Sequence, residues 1–199
     1  MAIMVSDQPT EWTLTEAARL LQEPEHRLIY LCEKGVVQPE VQDAEGRGSS
    51  RRFSTRNLLD FAVALQLREL ELPASLAATV IYVLRAFETS VGKRMRGFRL
   101  PESLRNPKAP DLRVVISDGR RLYFTLRTGK SAPKVYGGLD LRKMPASTAA
   151  RATIDRELAH TKAPDRRAGP QEFGRPEGSK HTRVEVNVTR IARDLRLEG

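Results

Sequence analysis

The stretch from Trp12 to Phe61, WTLTEAARLLQEPEHRLIYLCEKGVVQPEVQDAEGRGSSRRFSTRNLLDF, decides the fold. Thr15 is placed to cap a helix through EAARLL, its hydroxyl accepting from backbone N–H groups of the first turn. Ala17, Ala18 and Leu21 give that helix a tight apolar face, against which a following helix can cross closely. Glu23-Pro24 breaks the chain, and Pro24 suits the first turn of the next helix, where no N–H is needed. Leu28, Leu31 and Cys32 recur at helical spacing, and Gly35 is a natural left-handed cap behind them. Val36 and Val37 read as a strand, Glu45-Gly46-Arg47-Gly48-Ser49 as a turn, and Arg51-Arg52-Phe53 as the returning strand. Ser54 or Thr55 then caps a third helix, with Leu58, Leu59, Ala62, Leu65 and Leu70 as its apolar stripe. Two helices, a two-stranded wing and a third helix, in that order, make a winged helix-turn-helix.

Outward from this stretch the signals thin. Met1 to Pro9 reads as a loose leader. Leu72-Pro73 ends the third helix, and a fourth is predicted from about Ala74 to Phe87. Residues 93–110, KRMRGFRLPESLRNPKAP, are basic and punctuated by Gly and Pro, as a linker would be. Beyond them LRVVIS and RLYFTL flank Asp118-Gly119, a strong signal for a two-residue β-hairpin. These strands read as an ordinary sheet core. KVYGGLDL is a candidate third strand, Ala149 to His160 an amphipathic helix, and RVEVNV an alternating strand before a closing helix, TRIARDLRLE. The fold class is therefore α+β. A winged helix-turn-helix domain is expected over residues 10–92 and a basic linker over 93–110. A small α/β domain with a β-hairpin follows over 111–199, with a flexible loop at 162–182.

The chain has 199 residues, 40% hydrophobic and 30% charged, enough for one sizeable core or two small ones. No apolar run approaches the ~18 residues that span a bilayer, so a cytoplasmic, nucleoid-associated protein with no membrane partner is expected. A single cysteine, Cys32, cannot close an internal disulfide and reads as a small buried hydrophobe. The formal net charge is +9 and the pI about 10.1, which favours polyanionic partners. Its distribution is uneven. Residues 1–46 carry nine acidic side chains against Arg19, Arg27 and Lys34 alone. Residues 47–56 carry Arg47, Arg51, Arg52 and Arg56 with no acid, and residues 101–199 carry 21 basic against 12 acidic.

The pieces TEAARLL, LIYLCEKGVV, SSRRFS and LLDFAVALQLRELELP occur in an order and at spacings that resemble the DNA-binding domain of the MerR superfamily. The resemblance covers Trp12 to Leu72. It implies a transcriptional regulator that binds a partly symmetric operator in double-stranded DNA as a dimer, with RNA polymerase or another protein as a further partner. Two departures stand out. Ile29 stands where the family usually has a backbone-gripping Arg, with Tyr30 retained and Leu31 in place of a second Tyr. The long heptad helix through which the family dimerises is also missing, since Pro101 stops the fourth helix, so a homodimer would form through the C-terminal domain.

The candidate DNA-binding residues follow from that geometry. Thr15 and the N–H groups around it can hold a phosphate at a helix N-terminus. Glu25, His26 and Arg27 open the second helix, the end that meets base edges. Tyr30 and Lys34 reach toward phosphates, while Arg47, Arg51, Arg52 and Arg56 offer contacts from the wing and the third helix. The charge distribution moves the expected grip to the wing. Two other readings remain open: an excisionase-like or architectural factor that bends DNA, and a protein-interaction module built on the same fold. No catalytic constellation, cofactor motif or metal-ligand spacing emerges. Thr128-Gly129-Lys130-Ser131 lacks the earlier Gly of a phosphate loop and reads as a turn, and His26, His160 and His181 lie far apart.

Overall fold

The computed structural model describes residues 11–41, 51–92, 98–119, 121–127, 129–130, 134–141 and 182–195. Six helices and two small antiparallel sheets are present among them, a mixed α+β architecture. In chain order they are β1 (Glu11–Trp12), α1 (Leu14–Leu21), α2 (Glu25–Glu33), β2 (Phe53–Ser54), α3 (Thr55–Glu69) and α4 (Ala74–Gly92). There follow α5 (Leu100–Arg105), β3 (Asp111–Ser117), β4 (Arg121–Arg127), β5 (Lys134–Asp140), β6 (Arg183–Asn187) and α6 (Val188–Asp194). No described helix is long and apolar enough to cross a membrane.

Helix α1 is capped two residues before the expected position. Thr13, not Thr15, is its N-cap: the Thr13 hydroxyl accepts from the Glu16 N–H at 3.3 Å, and the Glu16 carboxylate accepts from the Thr13 N–H at 2.8 Å. The reason lies in the spacing. Thr13 has a Glu three residues on and so completes a capping box, whereas Thr15 is followed at that distance by Ala18. Ser54 caps α3 in the same reciprocal way with Asn57.

Helix α2 ends as expected at Gly35, whose φ of 65° takes the chain into the left-handed region. The turn that follows overturns the reading of Val36 and Val37 as a strand. The N–H groups of Val36 and Gly35 return to the carbonyls of Leu31 and Cys32, both at 2.9 Å, so the chain folds back on the helix end. Both valines are buried in the core instead. Of the expected returning strand Arg51-Arg52-Phe53, only Phe53 lies in β2 (Phe53–Ser54), and its partner is β1, with Trp12 opposite Phe53. The turn expected at residues 45–49 lies outside the described residues.

Helix α3 is the axis of the molecule. Leu58, Leu59, Phe61, Val63, Ala64 and Leu67 are all fully buried, so it is enclosed on nearly every side rather than along one stripe. Leu70, expected in that stripe, is the C-cap residue and 45% exposed. Around α3 pack α1, α2, α4, α5, α6 and β6.

The C-terminal elements follow the expected pattern. Strands β3 and β4 form a hairpin in register from Asp111↔Arg127 to Ser117↔Arg121. Its turn has φ of 56° at Asp118 and 58° at Gly119, the pair of left-handed residues such a hairpin requires. The sheet order is β5-β4-β3-β6. The helix expected at 149–160 and the loop at 162–182, up to residue 181, lie outside the described residues.

Residues 98–110 are not the linker expected there. They hold α5, with Pro101 in its first turn and Leu100 and Leu104 fully buried. Arg193 of α6 donates to the Leu104 carbonyl at 3.2 Å, which fastens α5 to the last helix. One buried cluster runs from Trp12 through α3 and α4 to Phe124, Val186 and Leu195, so the helices and the sheet share a core. Phe87 of α4 stacks on Phe124 of β4 at 4.9 Å between ring centres.

Candidate functional site

Three devices hold α2 with one face outward. The left-handed Gln22 ends α1, its N–H donating to the Arg19 carbonyl at 3.2 Å, and Pro24 starts α2 without an N–H to satisfy. Leu28 and Leu31 then bury against the core and fix the rotation of the helix.

The outward face consists of two strips at four-residue spacing. One is Glu25, Ile29 and Glu33, and the other is His26, Tyr30 and Lys34; all six are exposed. The strips differ in chemistry: the first sets an aliphatic side chain between two carboxylates, the second an aromatic ring between an imidazole and an ammonium. Arg27 lies on neither strip and is ion-paired with Glu23 at 2.6 Å.

An open groove of about 470 Å³ runs beside the second strip, lined by His26, Arg27, Tyr30, Leu31, Leu65 and Arg68. Leu31 and Leu65 supply an apolar floor. Lys34 Nζ lies 5.7 Å from the centre of the Tyr30 ring, and the Arg68 guanidinium carbon 6.0 Å from it. Both cations thus approach the electron-rich ring. Arg68 also donates to the Leu72 carbonyl at 2.5 Å, which steadies it beside the groove. Sequence reasoning missed Arg68. The signal available was its place three residues after Leu65, on the side of α3 that passes α2.

Of the other expected residues, Thr15 is exposed in the first turn of α1. Arg51 and Arg52 are partly buried beside β2. Arg52 is near enough to Glu16 to help lower its carboxyl pKa, although the main causes are the backbone and side-chain hydrogen bonds from Thr13. Arg47 lies outside the described residues.

Arg56 is a different case. It is only 9% exposed, donates through Nε to Asp60 at 3.1 Å and is ion-paired with Glu88. Its Nη2 is buried with no hydrogen-bond partner among the described residues. The expected role as a DNA contact from the third helix is therefore corrected: the charge is consumed inside the fold. Asp60, fully buried, accepts from Arg85 as well, at 2.9 Å and 2.5 Å. Burial pushes the Asp60 carboxyl above its ordinary pKa, and the two guanidiniums draw it back. Arg85 is itself pulled down by burial, yet Asp60 and Glu40 raise it above its ordinary value.

Asn57 was also missed, and it anchors the segment that carries Arg47, Arg51 and Arg52. Its Oδ1 accepts from the N–H groups of Glu40 at 3.0 Å and Ser54 at 3.2 Å, and its Nδ2 donates to the Gln38 carbonyl at 2.8 Å. Both ends of the segment between Glu40 and Ser54 are thereby tied to one buried side chain. Ser54-x-x-Asn57 is a capping box with Asn in place of Glu or Gln, and that pattern could have flagged it.

Among the described residues, no three His, Cys, Asp or Glu side chains come together as a metal site. Compared with known proteins, the sequence matches no family model, and none of the curated proteins is similar enough to count as a relative.

Proposed function

We propose that this chain is a DNA-binding transcriptional regulator resembling the MerR superfamily, with α1 and α2 as a helix-turn-helix and the 41–52 segment as its wing. The observation that carries this reading is the outward face of α2, exposed along its whole length while the opposite face is locked into the core. A short helix so presented, in a chain whose basic segment is anchored at Glu40 and at Ser54, suits the major groove with flanking phosphate contacts. Lys34 and Arg68 supply cations beside the helix, and Arg51 and Arg52 supply them from the wing. The protein would act as a dimer on a partly symmetric site, its half-sites about one helical turn, ~34 Å, apart.

The test is an electrophoretic shift against genomic fragments at several salt concentrations. A binder through these cations shows log affinity falling with log salt, by a slope of about one per phosphate contact. Arg51→Ala with Arg52→Ala should reduce that slope by about two, and Arg68→Ala by about one. Absence of any shift, or a shift indifferent to salt, overturns the reading.

A protein-interaction module is the second reading, favoured by the acidic balance of residues 1–46 and by Ile29 and Tyr30, which are 37% and 38% exposed. It predicts no salt-dependent shift with DNA.

A further inference from the structure

The two strips of α2 divide the labour of contact. We infer that the strip Glu25, Ile29 and Glu33 reads base edges, with Ile29 packing on a thymine methyl group in the major groove. This rests on the DNA-binding reading above and says what kind of sequence that helix selects.

Ile29 replaces the Arg that grips the backbone in the resembled family, and carboxylates at Glu25 and Glu33 are repelled by phosphates, so in this chain the strip is unsuited to the DNA backbone. The neighbouring strip can, because Tyr30 has a hydroxyl and lies beside Lys34 and Arg68. With His26, Tyr30 and Lys34 turned to the backbone, the first strip, one position round the helix, faces the floor of the groove. Ile29 is more than a third exposed and has no hydrogen-bonding group. The C5-methyl of thymine is the apolar surface a major groove offers such a side chain. Glu25 and Glu33 lie one turn before and one turn after Ile29, each about 6 Å along the helix axis. Carboxylates there can accept from the N4 amino group of cytosine and are repelled by the acceptor atoms of guanine. The strip therefore favours amino-bearing bases, cytosine or adenine, at the Glu25 and Glu33 positions, with thymine at the Ile29 position.

The experiment uses the full chain and duplexes recovered with it from a randomised double-stranded pool at low salt. Recovered duplexes should share a thymine at a fixed position. Replacing that thymine with deoxyuridine, which removes only the methyl group, should weaken binding by roughly four-fold. Ile29→Ala should bind the thymine and deoxyuridine duplexes equally well. Lys34→Ala should weaken both by the same factor and keep the preference, since it acts on phosphate. Equal binding of the two duplexes by the unaltered protein overturns the inference, as does an Ile29→Ala variant that still distinguishes them. Recovery of duplexes without a common sequence would leave DNA binding standing and sink the base-reading strip. If no duplex is retained at any salt concentration, the DNA reading itself fails. If Ile29→Ala instead changes the mass of the free protein in solution, the face is a protein interface and the inference falls.

Discussion

Asp60 accepts hydrogen bonds from two guanidiniums while fully buried, so removing its carboxylate takes the buried partner from both and leaves Arg56 to Glu88 and Arg85 to Glu40. Asp60→Ala should cost roughly 3–5 kcal/mol, the range for breaking one side of a buried ion pair, read from urea unfolding. Gln22 and Glu71 are less conspicuous. Each follows a helix with a positive φ, 56° and 60°, where a side chain is strained and glycine is not. Glu71→Gly should stabilise the fold by roughly 1 kcal/mol, seen as a higher unfolding midpoint at unchanged slope. At Thr13 the effect depends on pH. The Glu16 carboxyl is held below its ordinary value of 4.5, chiefly by the Thr13 backbone and hydroxyl donors. Its stabilising contribution is therefore present above that value and lost as pH falls through the lower folded value. Thr13→Ala should cost about 1 kcal/mol at pH 7 and flatten the acid limb of the stability profile, measured by denaturation between pH 7 and pH 3.

Among the elements, the helices and the hairpin could be read from the sequence because local chemistry specifies them. Gly35 behind α2, Asp118-Gly119 between β3 and β4, and alternation in RVEVNV each act within a few residues. What escaped that reading depends on contacts distant in sequence. Val36 and Val37 have strand-forming side chains, yet the N–H groups of both are taken by the end of α2. Leu100 and Leu104 stand in a basic, Pro-containing stretch and are apolar only in isolation, until α6 and α3 arrive to bury them. The candidate site divides in the same way. The exposed face of α2 follows from helical periodicity. The fates of Arg56, buried with Glu88 from 32 residues away, and of Arg68, beside Tyr30, do not. Asn57 belongs to this second group too. Asn57→Ala leaves the Glu40 and Ser54 N–H groups and the Gln38 carbonyl without their partner, which should cost roughly 2–3 kcal/mol in thermal unfolding.

At the scale of the molecule, a core shared by the helices and the sheet means that damage in one should be felt in the other. Phe124 lies in β4 but stacks on Phe87 of α4. Phe124→Ala should cost about 3–5 kcal/mol. The same loss should appear in the fluorescence of Trp12, the single tryptophan, which lies in β1 among the N-terminal elements. A Trp12 transition that stays where it was would show that the two parts unfold independently.

The clasp at Asn57 has a consequence for how such a chain can change over generations. With Gln38, Glu40 and Ser54 all fastened to one buried amide, both ends of the stretch between Glu40 and Ser54 are fixed by a residue outside it. The entropy of closing a loop grows only with the logarithm of its length, about 0.6 kcal/mol for each doubling. A change in the number of residues between Glu40 and Ser54 therefore costs the fold little through chain closure, since the side chain that anchors both ends lies outside that stretch.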